Sequence, residues 1–241
     1  VLFRSDLWES IGRDRYGITD DKALRFRYGV QVNSLGLTEA QPENNVQRIV
    51  LEMLAVTLSK RARARSVQLP AWNEALGLPR PWDQQWSLRM QQVLAFETDL
   101  LEYGDILDGS HVVERLTAEI RDGAKAELDD ILALGGAYAS VEELKKRLVA
   151  SMAQRTRRIE SGEQVVVGVN AYVETTESPL GGNDNILRVD PKVEADHVDD
   201  VRKWRETRDA RAVDTALRDL RAAARGSDNL MIASIEIGRA H

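Results

Sequence analysis

Two short stretches, "RFRYGVQVNS" (residues 25–34) and "RSVQL" (residues 65–69), decide the fold class that this sequence predicts. Both alternate apolar and polar residues and are rich in β-branched or aromatic side chains, which is typical of β-strands. Between them, apolar residues recur at helical spacing from Val46 to Thr57, which predicts a helix ending near Ser59. Residues 38–41 fit a capping box in front of this helix. Strand, helix and strand joined by short connections indicate a parallel sheet.

The second strand runs into "SVQLPAWNEALGLPRPWDQQWS" (residues 66–87), which predicts a Trp- and Pro-rich loop followed by a helix over 86–103. Parallel strands are buried on both faces, so two of them need further neighbours. We therefore predict an α/β fold in which residues 6–104 form the last two strands and helices of a TIM (βα)8 barrel. In such barrels the chemistry lies in the loops after the strands, here the Trp/Pro loop and the segment after Ser34.

The pattern changes after residue 104, and the remainder is predicted to be a mostly helical connector over residues 105–235. Glycines and an Asp-Pro pair mark the helix ends in this region. Helices are predicted over residues 110–134, 141–161, 190–208 and 212–225, a strand over 163–170 and a loop over 175–185.

The two ends of the chain are predicted to be adapter-derived. Codons that can encode Val1–Ser5 and Ile237–His241 are largely reverse complements, and both match a common sequencing-library adapter. Residues 1–5 and 236–241 are therefore set aside from fold reasoning. On this interpretation, His241 is not a candidate ligand.

The amino-acid composition argues against several classes of protein function. A net charge of −6 over 241 residues argues against a nucleic-acid-binding surface. The basic run over residues 60–65 is interpreted as the charged end of a helix. The sequence has no Cys, which excludes disulfides and thiolate metal sites and fits a cytoplasmic location. No apolar run approaches the roughly 20 residues that span a bilayer.

Few residues stand out chemically. His111 and His197 lack metal-ligand spacing, and no phosphate-binding or nucleophile motif occurs. Glu74 has two interpretations: it caps the turn "NEALGL" (residues 73–78), or it accepts a hydrogen bond from a ligand. Trp72 has two as well, packing or ligand contact, whereas Trp82 and Trp86 are interpreted as packing residues.

The stretch over residues 26–103, which begins "FRYGVQVNSLGLTEAQPENN", resembles the adenosylcobalamin-dependent acyl-CoA mutases. The segments "RRIESGEQVVVGVN" (157–170) and "NLMIAS" (229–234) resemble the part of these enzymes between barrel and cobalamin domain. The resemblance implies a barrel with acyl-CoA along its axis. It also implies adenosylcobalamin (coenzyme B12), bound mainly by a further domain whose D-x-H-x-x-G motif does not occur in this sequence.

The resemblance also implies cofactor-binding residues. Gln31 matches a glutamine at the end of the seventh strand, near substrate and corrin. Glu74 matches a glutamate that faces the ribose of the adenosyl group, and Asn73 lies where a neighbouring Asp is common. No catalytic residue and no metal ligand is assigned in this chain.

Three further residues, Gly29, Arg65 and Gln68, are implied as substrate-binding. Gly29 replaces a His of the methylmalonyl-CoA enzymes, and Arg65 and Gln68 replace a Gln and a His. Pro70 stands where those enzymes have Asn. Loss of an imidazole leaves room for an extra methylene, which is worth about 1–3 kcal/mol in pocket discrimination. These departures favour the branch that acts on ethylmalonyl-CoA.

The function implied is radical rearrangement of ethylmalonyl-CoA to methylsuccinyl-CoA by a cytoplasmic homodimer. The cofactor carries the radical chemistry, and the protein binds and orients the reactants. Rearrangement of methylmalonyl-CoA is one alternative, and a non-enzymatic helical interaction module is another. The chain alone is predicted to be inactive, because most of the barrel and the cobalamin domain would be missing.

Overall fold

A computed structural model describes residues 2–181 and 183–240. The predictions that fall on Val1, Gly182 and His241 therefore lie outside the described residues. The chain forms two compact units, residues 1–187 and 188–241. The boundary predicted between residues 104 and 105 lies within the first unit and stays a prediction.

The first unit contains five α-helices and two strands among its described residues, and the second contains three α-helices. None of the described helices is long and apolar enough to cross a membrane. The elements of the first unit are α1 (Leu2–Asp14), β1 (Val30–Gln31), α2 (Asn44–Leu58), β2 (Val67–Gln68), α3 (Pro81–Phe96), α4 (His111–Ala133) and α5 (Val141–Glu160); those of the second are α6 (Pro191–Thr207), α7 (Ala210–Arg225) and α8 (Leu230–Ala240).

β1 and β2 form a parallel two-stranded sheet, with Val30 opposite Val67 and Gln31 opposite Gln68. The prediction of an α/β fold with parallel strands is confirmed for this two-stranded sheet. The strands are much shorter than predicted, because each finds a single partner within the described chain. Backbone hydrogen bonds extend the pairing slightly: the Arg65 N–H donates to the Tyr28 carbonyl at 3.0 Å.

The core lies between one face of this sheet and helices α2 and α3. Alternation along β1 directs Val32 into the core, where it is 3% exposed, while the neighbouring Gln31 is exposed. Burying each large apolar side chain stabilises the fold by about 1.5–3 kcal/mol. The buried cluster comprises Val32, Ile49, Met53, Leu69 and Trp72.

Both helices after the strands begin at positions that differ from the prediction. The capping box over residues 38–41 is wrong: α2 begins at Asn44, and the Thr38 hydroxyl donates to the Ala40 carbonyl at 2.9 Å. α3 begins five residues before Trp86, at Pro81. Proline suits the first helical position because it has no N–H to leave unpaired.

The strand predicted over residues 163–170 is also wrong, since this segment forms turns. The side chain of Asn170 supplies the reason. Its Oδ1 accepts from the Val166 N–H at 2.7 Å, and its Nδ2 donates to the Ile159 carbonyl at 2.6 Å. Local side-chain hydrogen bonds of this kind compete with a strand ladder.

The four later helices predicted from the sequence are confirmed. Ser110 caps α4, and Gly135 and Gly162 follow α4 and α5 with φ angles of +96° and +77°. Asp190 caps α6 by accepting from the Lys192 N–H at 2.8 Å. α8, which packs against α7, is an addition to the predicted set.

Candidate functional site

One face of the sheet is covered by α2 and α3, and the other carries exposed polar positions. We call the exposed set, Gly29, Gln31, Ser66 and Gln68, the open face. Gln31 lies directly opposite Gln68 in the ladder. The structure thus brings together three of the predicted site residues, Gly29, Gln31 and Gln68, while their ligand roles stay predictions.

Gly29 permits a close approach of the two strands on the open face. A Cβ added at this position would lie 2.6 Å from the Ser66 hydroxyl oxygen. Contacts that short are not tolerated, so any side chain at position 29 requires Ser66 to change its rotamer. The space that a histidine side chain would occupy at position 29 is therefore partly filled by the Ser66 hydroxyl.

The Trp/Pro loop after β2 is anchored by buried aromatic rings. Trp72 is 0% exposed, and its ring centroid lies 6.4 Å from that of the half-buried Trp86. This confirms packing for both residues. Trp82 stacks edge-on against Trp86 at 5.2 Å but remains 48% exposed.

Asn73, the next residue, is 0% exposed. Its Nδ2 donates to Asp83 Oδ2 at 2.9 Å and to the Asn185 carbonyl at 2.7 Å. Within the described part of the chain, two buried polar atoms of this loop have no hydrogen-bond partner, Asn73 Oδ1 and Trp72 Nε1. In this structure Asn73 holds the loop, and its contact with a cofactor stays a prediction.

Asp83 is a buried carboxylate in the first turn of α3. It accepts from the Arg80 backbone N–H at 2.8 Å and from the Arg80 guanidinium at 3.0 Å, besides its bond from Asn73. Burial disfavours the charged form, but these donors outweigh burial and lower the pKa of Asp83 below its usual value. A stable negative charge therefore connects the Trp/Pro loop to α3.

Glu74 follows Asn73 but points to solvent. The turn after it closes through backbone hydrogen bonds, with the Leu76 N–H donating to the Asn73 carbonyl at 2.9 Å. Among the described residues, none donates a hydrogen bond or an ion pair to the Glu74 carboxylate, so the interpretation of Glu74 as a cap is wrong. Its carboxylate is left available at the end of β2.

Residues 184–187 lie across this loop, an arrangement that the sequence did not reveal. The Leu187 N–H donates to the Leu78 carbonyl at 2.7 Å, and Arg80 Nη1 donates to the Asp184 carbonyl at 3.1 Å. Contacts more than 100 residues apart leave no local sequence signal. The segment fixes the outer side of the Trp/Pro loop.

Asn45 is a second organising residue that the sequence did not reveal. It is 0% exposed, and its Nδ2 donates to the carbonyls of Thr38 and Trp72 at 2.8 and 2.9 Å. It thereby connects the loops that follow β1 and β2. A signal existed, because Asn45 shares a helical row with Ile49 and Met53, where an apolar residue is expected.

Arg65, the remaining predicted site residue, lies apart from the open face. It lines a basic cavity at the amino ends of the strands, together with Arg25, Arg27 and Arg63. No set of three or more acidic or histidine side chains within the described residues could hold a metal ion.

Comparison with known proteins shows to which proteins the chain is related. Residues 3–241 match the family model described as methylmalonyl-CoA mutase. The chain is 59% identical over 236 residues to an ethylmalonyl-CoA mutase of Cereibacter sphaeroides and 60% identical over 239 residues to one of Methylorubrum extorquens. It is 33% identical over 227 residues to a methylmalonyl-CoA mutase of Escherichia coli.

These alignments cover most of this chain but a minor part of each relative. They span 98% of the chain for the two ethylmalonyl-CoA mutases and 93% for the Escherichia coli enzyme. In turn they cover 36%, 35% and 31% of those proteins, so the chain spans about a third of their length. Since the family model matches nearly every residue, this chain belongs to the methylmalonyl-CoA mutase family.

Proposed function

We propose that this chain is part of an adenosylcobalamin-dependent acyl-CoA mutase that converts ethylmalonyl-CoA to methylsuccinyl-CoA. The observation that carries the proposal is the identity of 59% and 60% to two ethylmalonyl-CoA mutases, against 33% to a methylmalonyl-CoA mutase. Because the chain spans about a third of these relatives, the activity belongs to a longer protein. That protein is proposed to be a cytoplasmic homodimer, on the resemblance alone.

In this proposal β1 and β2 are the last two strands of a (βα)8 barrel, and residues 105–235 are the connector. Two features support it: the strands are parallel, and the helices that follow them pack on one face of the sheet. In a barrel of this type the helices form the outer ring. The open face, with Gln31 and Gln68, would then face the barrel interior.

At the end of β2, Glu74 is the residue that fits an adenosyl group. It offers an exposed carboxylate free of ion pairs with described residues, whereas Asn73 and Trp72 are fully buried beside it and would act by holding the loop in place. When bound, adenosylcobalamin supplies the radical that abstracts a substrate hydrogen. Glu74 would accept hydrogen bonds from the ribose hydroxyls, and such charge-assisted bonds are roughly twice as strong as neutral ones.

Selectivity for the ethyl branch is assigned to Gly29 acting together with Ser66. A histidine at position 29 would occupy space above the open face and would also displace the Ser66 hydroxyl, because its Cβ would lie 2.6 Å from that oxygen. Gly29→His should therefore penalise the larger substrate more than the smaller one. The double variant Gly29→His/Ser66→Gly removes the clash of the new Cβ with the Ser66 hydroxyl. Any change in substrate preference that remains then comes from the space that the histidine takes up in the pocket.

The test is a chimera in which this chain replaces the corresponding third of the Cereibacter sphaeroides relative. Methylsuccinyl-CoA formation is measured with and without adenosylcobalamin, and a chimera carrying the Escherichia coli segment is the control. Cofactor-dependent product from ethylmalonyl-CoA supports the proposal. A folded chimera that binds cofactor but forms no product would show that the chain does not supply mutase function and would favour a helical interaction module.

A further inference from the structure

Helix α6 of the second unit presents an apolar surface that the described chain leaves uncovered. Every residue of α6 is exposed, whereas α7 and α8 of the same unit pack against each other. Val198 and Val201 lie about one helical turn apart and are 42% and 48% exposed. Helices in proteins owe most of their stability to packing of an apolar face. Within the described residues, α6 lacks this contact.

The two valines line a groove that runs along the helix. The groove has a volume of about 490 Å³ and is lined by Glu194, Val198, Val201 and Arg205, among others. We call these four residues the α6 row, because their spacing of four, three and four residues places them on one side of the helix. The α6 row thus runs from an acidic end across an apolar centre to a basic end.

The charges of the whole helix follow the same order. Residues 190–200 carry five acidic side chains and one lysine, and residues 201–208 carry four basic side chains and one glutamate. The helix macrodipole favours such an order only within the first and last turns. Asp199 and Asp200 lie in the middle of α6 and are followed at once by Arg202 and Lys203. The macrodipole therefore does not account for the reversal of charge at the centre of the helix.

The charged residues of the α6 row remain available to a partner. The ion pairs that form within α6 are Lys192–Asp196 and Arg202–Asp199. Across the described residues, neither Glu194 nor Arg205 has an opposite charge within ion-pair distance. The α6 row therefore offers one free acid, two apolar side chains and one free base.

We infer that α6 pairs with α6 of a second copy of this chain, with the two helices antiparallel. Antiparallel helices place opposite each other residues whose numbers have a constant sum. The register that sets Val198 opposite Val201 of the second copy therefore also sets Glu194 opposite Arg205 of the second copy. A twofold axis repeats both contacts, so the interface contains two apolar pairs and two ion pairs.

The order of charges favours a second copy of this chain as the partner. Each helix offers the acid and the base that the other one needs, in reversed order, and a twofold interface requires such self-complementarity. A parallel pair would instead set Glu194 against Glu194 and Arg205 against Arg205, and like charges that face each other are unfavourable.

The expected association is weak. With 17 residues, α6 is about 25 Å long, so one pair of such helices buries less than the roughly 1,200–2,000 Å² of a standard interface. We expect self-association that depends on concentration and weakens with salt, because two ion pairs contribute to it. This pairing rests on the residues of α6 and does not depend on the proposed mutase function.

The experiment measures self-association of the full chain by sedimentation equilibrium at low ionic strength. It compares the wild type, Glu194→Arg, Arg205→Glu and an equal mixture of the two variants. Each variant alone should associate about tenfold or more weakly, because two attractive pairs become repulsive. The mixture should regain the wild-type affinity, because the basic row of one variant then faces the acidic row of the other.

The matched control is Asp196→Arg. It reverses a charge in the same half of α6, about 160° around the helix from Glu194. This variant should associate as the wild type does, and circular dichroism verifies that every variant is folded. A wild type that stays monomeric at every concentration, or a mixture that associates no better than its two components, would overturn the pairing.

Disulfide trapping separates this contact from association through the open edges of β1 and β2. The chain has no Cys, so chains carrying Val198→Cys and Val201→Cys can be mixed and oxidised without competing thiols. The control mixture carries Asp196→Cys and Lys203→Cys, which have the same register on the opposite side of α6. Linked dimers should form in the first mixture and not in the second. Equal trapping in both mixtures would overturn the pairing and leave the mutase proposal, which the chimera tests, unaffected.

Discussion

At the scale of single residues, polar groups in the core organise the candidate site. Asp83 and Asn45 are both 0% exposed, and each connects a loop that follows a strand to a neighbouring element. Neither contacts the open face. They hold the loops that follow β1 and β2, so their loss should first appear in stability.

Asp83→Asn should destabilise the first unit by about 1–3 kcal/mol at neutral pH, because bonds to the Arg80 guanidinium lose their ionic component. The pKa of Asp83 is lowered in the folded chain, so its contribution is complete above the unfolded value of about 3.9. That contribution is lost as pH falls through the folded pKa. Urea titrations followed by tryptophan fluorescence at neutral and acidic pH measure both effects.

The matched control is Asp122→Asn, because Asp122 forms an ion pair with Arg121 on α4 but is 69% exposed. Exposed ion pairs contribute about 0–1 kcal/mol. Equal losses for Asp83→Asn and Asp122→Asn, or a loss that persists unchanged at acidic pH, would contradict the role assigned to Asp83.

Asn45→Ala should cost about 3 kcal/mol, because it leaves the part-buried carbonyl of Thr38 and the buried carbonyl of Trp72 without their donor. Gln47→Ala removes an exposed amide from the same helix and should change stability by less than about 0.5 kcal/mol. Thermal unfolding of the two variants makes the comparison, and similar melting temperatures would exclude the role of Asn45 as a link between loops.

At the scale of elements, the Trp/Pro loop is held by residues 184–187 on its outer side. Gly77 is the tightest point, with φ of +149° and a potential Cβ 3.2 Å from Ile186 Cδ1. Only glycine adopts such a backbone conformation readily. The contact between the two segments therefore depends on this residue.

Gly77→Ala should loosen residues 184–187 from the loop, since both the backbone and Ile186 would have to shift. Hydrogen exchange at the Leu187 N–H, which donates to the Leu78 carbonyl at 2.7 Å, should become markedly faster. Gly104→Ala is the control, because nothing lies within 4 Å of its potential Cβ. Unchanged protection at Leu187 in Gly77→Ala would contradict the account.

The helices and strands also show how much of the fold could be predicted from the sequence. Helices α4 to α7 were predictable because capping residues and glycines mark their ends locally. The strands over 25–34 and 65–69 were located correctly but overextended, since ladder length depends on partners that a local pattern does not contain. The start of α3 was predicted too late, although Pro81 is a residue type that marks the first helical position.

The candidate site could likewise be predicted from the sequence only in part. The resemblance singled out Gly29, Gln31 and Gln68, and the register of the two strands in the structure brings them onto one face. Local spacing could not reveal the contact between Asn73 and Asn185, which are 112 residues apart. It also could not show that Arg65 lines a different cavity, because Glu9 and Arg13 of α1, which line the same cavity, are more than 50 residues away in the sequence.

At the scale of the whole molecule, the two-stranded sheet is the feature that favours association with further strands. Within the described residues β1 and β2 pair only with each other, so each leaves an edge unpaired. Open strand edges promote association. We expect the isolated chain to elute above its monomer mass of 27.0 kDa in light-scattering chromatography, increasingly so at high concentration. A monomer that melts cooperatively would contradict this expectation.

The most direct test of the central claim is the substrate preference of the chimera between this chain and the Cereibacter sphaeroides enzyme. The ratio of kcat/KM for ethylmalonyl-CoA to that for methylmalonyl-CoA is measured for the chimera and for its Gly29→His/Ser66→Gly variant. The account predicts a preference for ethylmalonyl-CoA that falls by about tenfold or more in the variant, the range expected for one methylene. A chimera that prefers methylmalonyl-CoA, or a ratio that the variant leaves unchanged, would contradict it.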